Sequence, residues 1–375
     1  MIPNSLRGIA WAAFLLVGAA SAQAERVVVQ TVGPGEVTGL SSDGRVATGQ
    51  RISDYQTFRW TMKTGMVPLG RGTLGPLGTI AGLPAISADG KTIGSTILSD
   101  SGTYSTSGLW TLGSGWRQLT PPLPPGGGQI DASDSSVYAL SKDGQVVAGL
   151  FWLTTGKAHG FAWTDTTNMV DLGSSGGSSR INGANGDGSV LVGWDEDPVQ
   201  GFRRAAVWVN GVRTLLDASA GPGEGAGVST DGTIIVGQTA DEAHSGRPSA
   251  AMWHWNGTGW DRTVLGAVPG SRNPFAYANA VSDDGRIVVG IDRPSSTSPQ
   301  SIGFVWTAAT GMIDANQYMK LIGHDMSSEF TIADITAITP NGLTFAAYGQ
   351  APQPPFNAGT RIVRRLPSAP AAGDE

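Results

Sequence analysis

Apolar residues come in short runs along this chain, and a two-residue turn precedes each run. Val146-Val147-Ala148-Gly149 and Ile287-Val288-Val289-Gly290 are two such runs. The turn is Asp-Gly or Asn-Gly, at Asp43-Gly44, Asp89-Gly90, Asp143-Gly144, Asp187-Gly188, Asp231-Gly232, Asp284-Gly285 and Asn341-Gly342. Both residue types tolerate positive φ, so this pair between two apolar runs predicts a β-hairpin. Helical periodicity is nearly absent. The turns recur every 44 to 57 residues, which makes the chain a repeat before it is anything else.

Other positions recur in step with the turn. Two residues before it stands a small polar residue, as in Ser41, Ser141, Asn185 and Thr339. Four residues before it stands Gly or Ala each time: Gly39, Ala85, Ala139, Gly183, Gly227, Ala280 and Ala337. About twenty residues after it comes a Trp in six repeats: Trp60, Trp110, Trp163, Trp208, Trp253 and Trp306. Each unit therefore reads as four short strands, and seven such units predict an all-β, seven-bladed β-propeller of four-stranded blades. The strand before the turn is expected to be innermost. There seven strands crowd an axis, and only Gly or Ala fits. The regular Trp column is expected to pack between blades.

The last unit offers strands at 331–338, 343–349 and 360–364 but no fourth. An orphan apolar run, 26–32, precedes the first unit and fits the gap. The N-terminal strand is therefore expected to close the last blade, which removes an exposed sheet edge. One stretch, 314–329, departs from the pattern. Met319, Leu321 and Ile322 predict a short helix there, stopped by Gly323.

Composition refines this picture. Residues 1–24 carry Arg7, a short apolar run and Ala22-Gln23-Ala24, which read as a signal peptide and imply bacterial export to the periplasm or beyond. Residues 25–366 form the propeller, and 367–375 read as a disordered tail. Net charge is −6, which argues against nucleic acid as a partner. There is no Cys, so disulfides, zinc–thiolate sites and a Cys nucleophile are excluded. No second segment reads as a membrane span.

The phrases Val281-Ser282-Asp283-Asp284-Gly285-Arg286-Ile287-Val288-Val289-Gly290 and Gly303-Phe304-Val305-Trp306-Thr307 resemble the bacterial extracellular HAF-type repeat family. The His-Ala-Phe triplet of that family is not kept; His159-Gly160-Phe161-Ala162-Trp163 comes nearest. The last unit departs further, with Asn341 for Asp, Ala347 for Gly and no Trp. The resemblance implies a propeller and export, and almost nothing about activity.

Candidate chemistry lies in the loops opposite the Asp-Gly turns, since loops carry function on a constant scaffold. Trp194 stands outside the Trp column, where an aromatic face suits a sugar ring; partial burial is the plainer reading. Asp195, Glu196 and Asp197 with Arg203 and Arg204 form the densest charge cluster, suited to a cation or a charged sugar, or else to pairing among themselves. His159, His244 and Arg247 lie in loops at the same end. No HExxH pattern and no EF-hand pattern occur, so no metal and no cofactor are expected. Asp131 and Asp134 leave a weak possibility of Ca²⁺. No nucleophile elbow is found, and the catalytic residues are unknown. These features predict an exported, non-enzymatic binding or interaction module, monomeric, taking an extracellular glycan or an envelope protein. The alternative is a polysaccharide-active enzyme, a hydrolase or lyase, with its site over the central channel. Convergence of two or three titratable side chains near the axis would favour that alternative.

Overall fold

The computed structural model describes residues 26–78, 81–119, 134–216, 221–271, 275–293 and 301–366. Residues 1–24, read above as a signal peptide, the expected tail 367–375, Asp131 and most of the 121–135 insert lie outside the described residues. Seven antiparallel sheets of four strands stand around one axis. Blade 4 is typical, with strands Ser179–Ala184, Val190–Glu196, Arg203–Val209 and Val212–Leu215 in that order from inside out. The inner strands are Gly35–Leu40, Ala85–Ile86, Ser135–Leu140, Ser179–Ala184, Glu224–Val228, Phe275–Val281 and Thr331–Ile338. Each touches its sequence neighbour, and the seventh touches the first. In blade 7 the outermost strand is Arg26–Gly33, paired with Ala358–Leu366 from the other end of the chain.

The turn works as one hydrogen-bonded unit. Ser41 Oγ donates to Asp43 Oδ1 at 2.7 Å and accepts the Val46 amide at 2.9 Å. Asp43 Oδ1 also accepts the Arg45 amide at 2.9 Å. The same geometry recurs at Ser87, Ser141, Ser229, Ser282 and Thr339. The small polar column is thus explained by a buried amide that needs an acceptor. At Asp89, the Ser87 hydroxyl and then the Lys91 amide hold the carboxyl below the usual carboxylate range.

Two columns answer two close approaches, the first Gly or Ala and the second mostly Gly. A Cβ on Gly183 would lie 2.6 Å from the Ala226 carbonyl oxygen of the next blade, and one on Gly227 2.7 Å from that of Asn279. The second column arises within a blade. Most inner strands carry a β-bulge, as between Val37 and Gly39, Ile181 and Gly183, and Ala278 and Ala280. In five blades the bulge turns a carbonyl toward the adjacent strand, where Gly leaves room for it; blade 7 has Ala347 there. A Cβ on Gly49, Gly149, Gly193, Gly237 or Gly290 would sit 1.9 to 2.1 Å from the carbonyl oxygen of Glu36, Ser136, Arg180, Glu224 or Tyr277. This is why the runs after the turn end in Gly.

Packing between blades is apolar. Trp208 lies fully buried with Ile181, Leu191 and Ala206 of its own blade and Ala139 and Ala148 of the preceding one. Trp60, Trp163 and Trp253 are buried alike, while Trp110 and Trp306 are half-buried. The predicted helix is Ala315–Leu321. Asp314 caps it through the Asn316 and Gln317 amides, and Gly323 at φ +82° follows its end. Tyr318 and Met319 face the core, whereas Leu321 is exposed. Among the described residues no helix is long and apolar enough to cross a membrane.

Beside the turns, main-chain bonds link the blades in a ring. Ser42 N donates to Ala88 O, Ala88 N to Lys142 O, Lys142 N to Asn185 O, Gly186 N to Thr230 O, and Asp283 N to Pro340 O. Between blades 5 and 6, Thr230 N uses the Asp283 side chain at 2.7 Å instead. The ring stops at Pro340, which has no N–H to give to blade 1. Side chains hold that seam. Thr336 Oγ1 donates to Val37 O at 2.5 Å, Thr360 Oγ1 donates to Gly35 O at 2.8 Å and accepts Val37 N at 3.1 Å, and Arg364 donates to Gly44 O.

Gly193→Ala and Gly183→Val are each expected to destabilise the ring by about 2–3 kcal/mol, the scale of core overpacking. Chemical denaturation of the purified variants reads this directly, and an unchanged midpoint for either would contradict the crowding argument.

Candidate functional site

The inner strands enclose a channel along the axis, with a cavity of ≈ 260 Å³. Three sets of positions line it. Seven residues before the turn stand Glu36, Arg180, Glu224, Tyr277 and Asp334. Five before it stand Thr38, Pro84, Tyr138, Asn182, Ala226, Asn279 and Thr336. In the five long inner strands with a bulge at this point, and again in blade 7, these are the extra residues, so the irregularity itself aims them at the axis. Next to the turns, Lys142, Thr230, Asp283 and Pro340 form a floor.

One sector of the mouth, from blades 4 to 6, is a closed network. Arg180 Nη2 donates to Glu224 Oε1 at 2.5 Å, Asn182 Nδ2 to the same oxygen at 2.7 Å, and Tyr277 Oη to it at 3.1 Å. Arg203 reaches Glu224 Oε2 at 3.5 Å. Arg180 lies over the Tyr138 ring at 4.5 Å and near that of Trp194 at 5.7 Å, and Arg203 covers Trp194 at 4.3 Å. Burial opposes the charge on Arg180, but Glu224 more than restores it, so this guanidinium stays protonated. Tyr277 is held well above the usual phenol range, by burial and then by Glu224.

The opposite sector, at the seam between blades 7 and 1, is different. Asp334 accepts from Asn279 Nδ2 at 2.7 Å. Neither it nor Glu36 has a cation within 4.0 Å among the described residues. Burial, then the Glu36 charge, pushes the Asp334 carboxyl up to about 8, although Arg293 opposes this. Burial also raises Glu36, again against Arg293. On the floor, Lys142 is lowered by burial, with Asp283 opposing.

The loop candidates are placed and partnered elsewhere. Trp194 is buried, 6 % exposed, on the second strand of blade 4, beneath Arg203 and beside Arg180, and does not line the cavity itself. The cluster of three acids is split among three cations. Asp195 is wholly buried, bound by Ser174, Ser175 and Arg213. Glu196 pairs with Lys157 at 3.3 Å and Asp197 with Arg204 at 2.7 Å. His159 bonds Asp171 at 3.0 Å, and His244 bonds Asp241 at 2.7 Å with Arg247 4.0 Å from the same carboxylate. Among the described residues no group of three or more His, Asp or Glu is placed to hold a metal ion. Asp134 is buried and bonded by Ser135 Oγ at 2.9 Å. The structure therefore sets Trp194 and Arg203 behind Arg180 and Glu224, outside the cavity lining, and leaves His159, His244 and the acidic loop in separate local pairs.

Sequence reasoning missed Glu36, Arg180, Glu224, Tyr277 and Asp334. Their signal was present: at a fixed seven residues before five of the seven turns stands a large polar residue, inside strands rich in small and apolar ones.

No protein-family model matches the sequence, and no curated protein matches it. Among solved structures the chain is similar to the propeller domain of Cps50 (Swd1) from Myceliophteria thermophila, with TM-score 0.51 and 12% identity, covering 90% of this chain and 98% of that one. It is similar to prolyl oligopeptidase B from Galerina marginata, with TM-score 0.50 and 11% identity, covering 88% and 47%. It is also similar to TolB from Acinetobacter baumannii, with TM-score 0.46 and 14% identity, covering 74% of this chain but only 61% of that one. At these identities the likeness defines a fold class, the β-propeller, and no activity.

A folded carboxyl near 8 against an unfolded one near 3.8 means that the native state holds the extra proton. Stability from this group is complete at low pH and is lost as pH rises through about 8. Asp334→Asn keeps the acceptor for Asn279 and removes the ionisation. Its unfolding midpoint is expected to match the parent at pH 4 and exceed it at pH 9; equal midpoints at both would refute the burial of this carboxyl.

Proposed function

We propose that this protein is an exported binding module of the bacterial periplasm or cell exterior, without enzymatic activity, whose ligand enters the channel mouth. An extracellular glycan or an envelope protein is the ligand class this reading favours. The observation that carries it is the division of labour among positions. Turn, Gly and Trp columns repeat with little change, whereas the channel columns vary in charge and shape and converge on one cavity. A uniform frame presenting varied polar groups is the design of a recognition surface. In the blade 4–6 sector the charges already satisfy one another, which suits reading a ligand's shape and polarity more than attacking a bond.

One observation favours the second reading, a polysaccharide hydrolase or lyase. Asp334 carries a proton near neutral pH beside Glu36, and two carboxyls whose environments differ are the raw material of acid–base cleavage.

The test is incubation of the full chain with acidic and neutral polysaccharides, with and without Ca²⁺, followed by assay of new reducing ends and unsaturated-uronate absorbance. Retention of a polysaccharide or an envelope protein without cleavage is the expected outcome. Arg203→Ala, at the exposed rim, should weaken that retention about fivefold or more, in line with a ~1 kcal/mol charged contact. Cleavage abolished by Asp334→Asn would establish the enzyme instead.

A further inference from the structure

At its two ends the channel holds titratable groups of opposite type that stand in no ion pair among the described residues. At the mouth, Glu36 and Asp334 face each other across the seam with no cation in ion-pair range among the described residues; the Arg293 guanidinium acts on both only from farther away. On the floor, Lys142 has no carboxylate within 4.0 Å and no hydrogen-bond partner for its ammonium among the described residues. All three line one continuous cavity. Mouth and floor positions are six residues apart in the chain, one of them the bulged extra residue, which leaves about five ladder steps, or ~16 Å at ~3.3 Å per residue.

These charges discriminate among ligands. A neutral glycan would leave an ammonium and two carboxyls desolvated and unmatched, which is costly. A polyuronate would satisfy Lys142 but set its other carboxylates against Glu36, and a cationic amino-sugar chain would do the reverse at Lys142. A ligand with one negative and one positive group, some 15–20 Å apart on a slender backbone, matches both ends. The cavity, ≈ 260 Å³, lies below the ~300–1,000 Å³ of most ligand pockets, which also favours a slender chain.

We infer that the channel receives the C-terminal end of an extended peptide, with its terminal carboxylate at Lys142 and a basic side chain about five residues upstream between Glu36 and Asp334. This rests on the binding-module reading and names its ligand as the tail of a protein. Asp283 shares the floor. Its Oδ1 accepts the Thr230 amide, and its charge opposes an entering carboxylate. Neutralising Asp283 should therefore tighten the complex, an effect opposite in sign to loss of Lys142.

The probe is an N-acetylated hexapeptide of Lys followed by Gly and Ala, titrated calorimetrically into the full chain. Its comparators are the C-terminal amide and the peptide with norleucine in place of Lys. The free acid should bind at least tenfold more tightly than the amide. Lys142→Met should erase that difference, Lys142→Arg should keep it, and Asp283→Asn should strengthen binding of the acid severalfold. Glu36→Gln combined with Asp334→Asn should erase the preference for Lys over norleucine, with melting curves confirming that each variant is folded. Equal affinity for acid and amide, or discrimination that survives Lys142→Met, overturns the inference. Failure of every peptide while a polysaccharide is retained overturns it and leaves the binding-module reading standing. Failure of peptides, polysaccharides and envelope proteins alike overturns both.

Discussion

Close approach of main chain to main chain is the constraint on which this structure depends. Seven strands meet around one axis, and at Gly183 and Gly227 the distance to the next blade leaves no space for a Cβ. The bulge imposes the same limit inside a blade, where Gly193 lies under the Arg180 carbonyl. Glycine here supplies nearness more than flexibility. In five blades the bulge is set against that gap, and its extra residues, Tyr138, Asn182 and Asn279 among them, are the ones that reach the channel. The frame and the candidate site therefore share one steric cause.

Electrostatics divides the channel in two. Glu224 gathers Arg180, Asn182, Tyr277 and Arg203, so a buried charge is paired and hydrogen-bonded as its burial requires. Such a network is stiff, because loss of any member strands another. Glu36 and Asp334 have no such cationic company; burial pushes both carboxyls up, and Asp334 holds a proton near neutral pH. A ligand cation would replace that proton and draw the two blades together. The rigid sector gives shape and the unsatisfied sector gives an incentive to bind.

The frame was legible in the sequence because each of its requirements recurs. The buried amide of Val46 needs Ser41, that of Ile234 needs Ser229, and the repetition announces the hairpin. Closure by residues 26–32 followed from counting strands. The site was not legible in the same way. Asp195, Glu196 and Asp197 are adjacent in sequence, yet alternate strand positions and the turn send them to Arg213, Lys157 and Arg204. Arg180 and Glu224 lie 44 positions apart and meet only because consecutive blades set equivalent residues side by side. Clustering along the chain misled, while equivalence between repeats would have informed.

The closing sheet also fixes how the molecule answers to force. Arg26 pairs with Leu366 at the outer end of an antiparallel ladder that runs inward to Gly33 and Thr360. The two chain ends thus leave from the same corner of the same sheet. Tension applied between them loads one rung at a time, as in opening a zipper, and never the whole ladder in shear. The first strand would peel away at low load while the ring of six complete blades stayed closed behind it. Tension on a single end, with the channel occupied, would instead be borne by blade 7 and its proline-interrupted joint with blade 1.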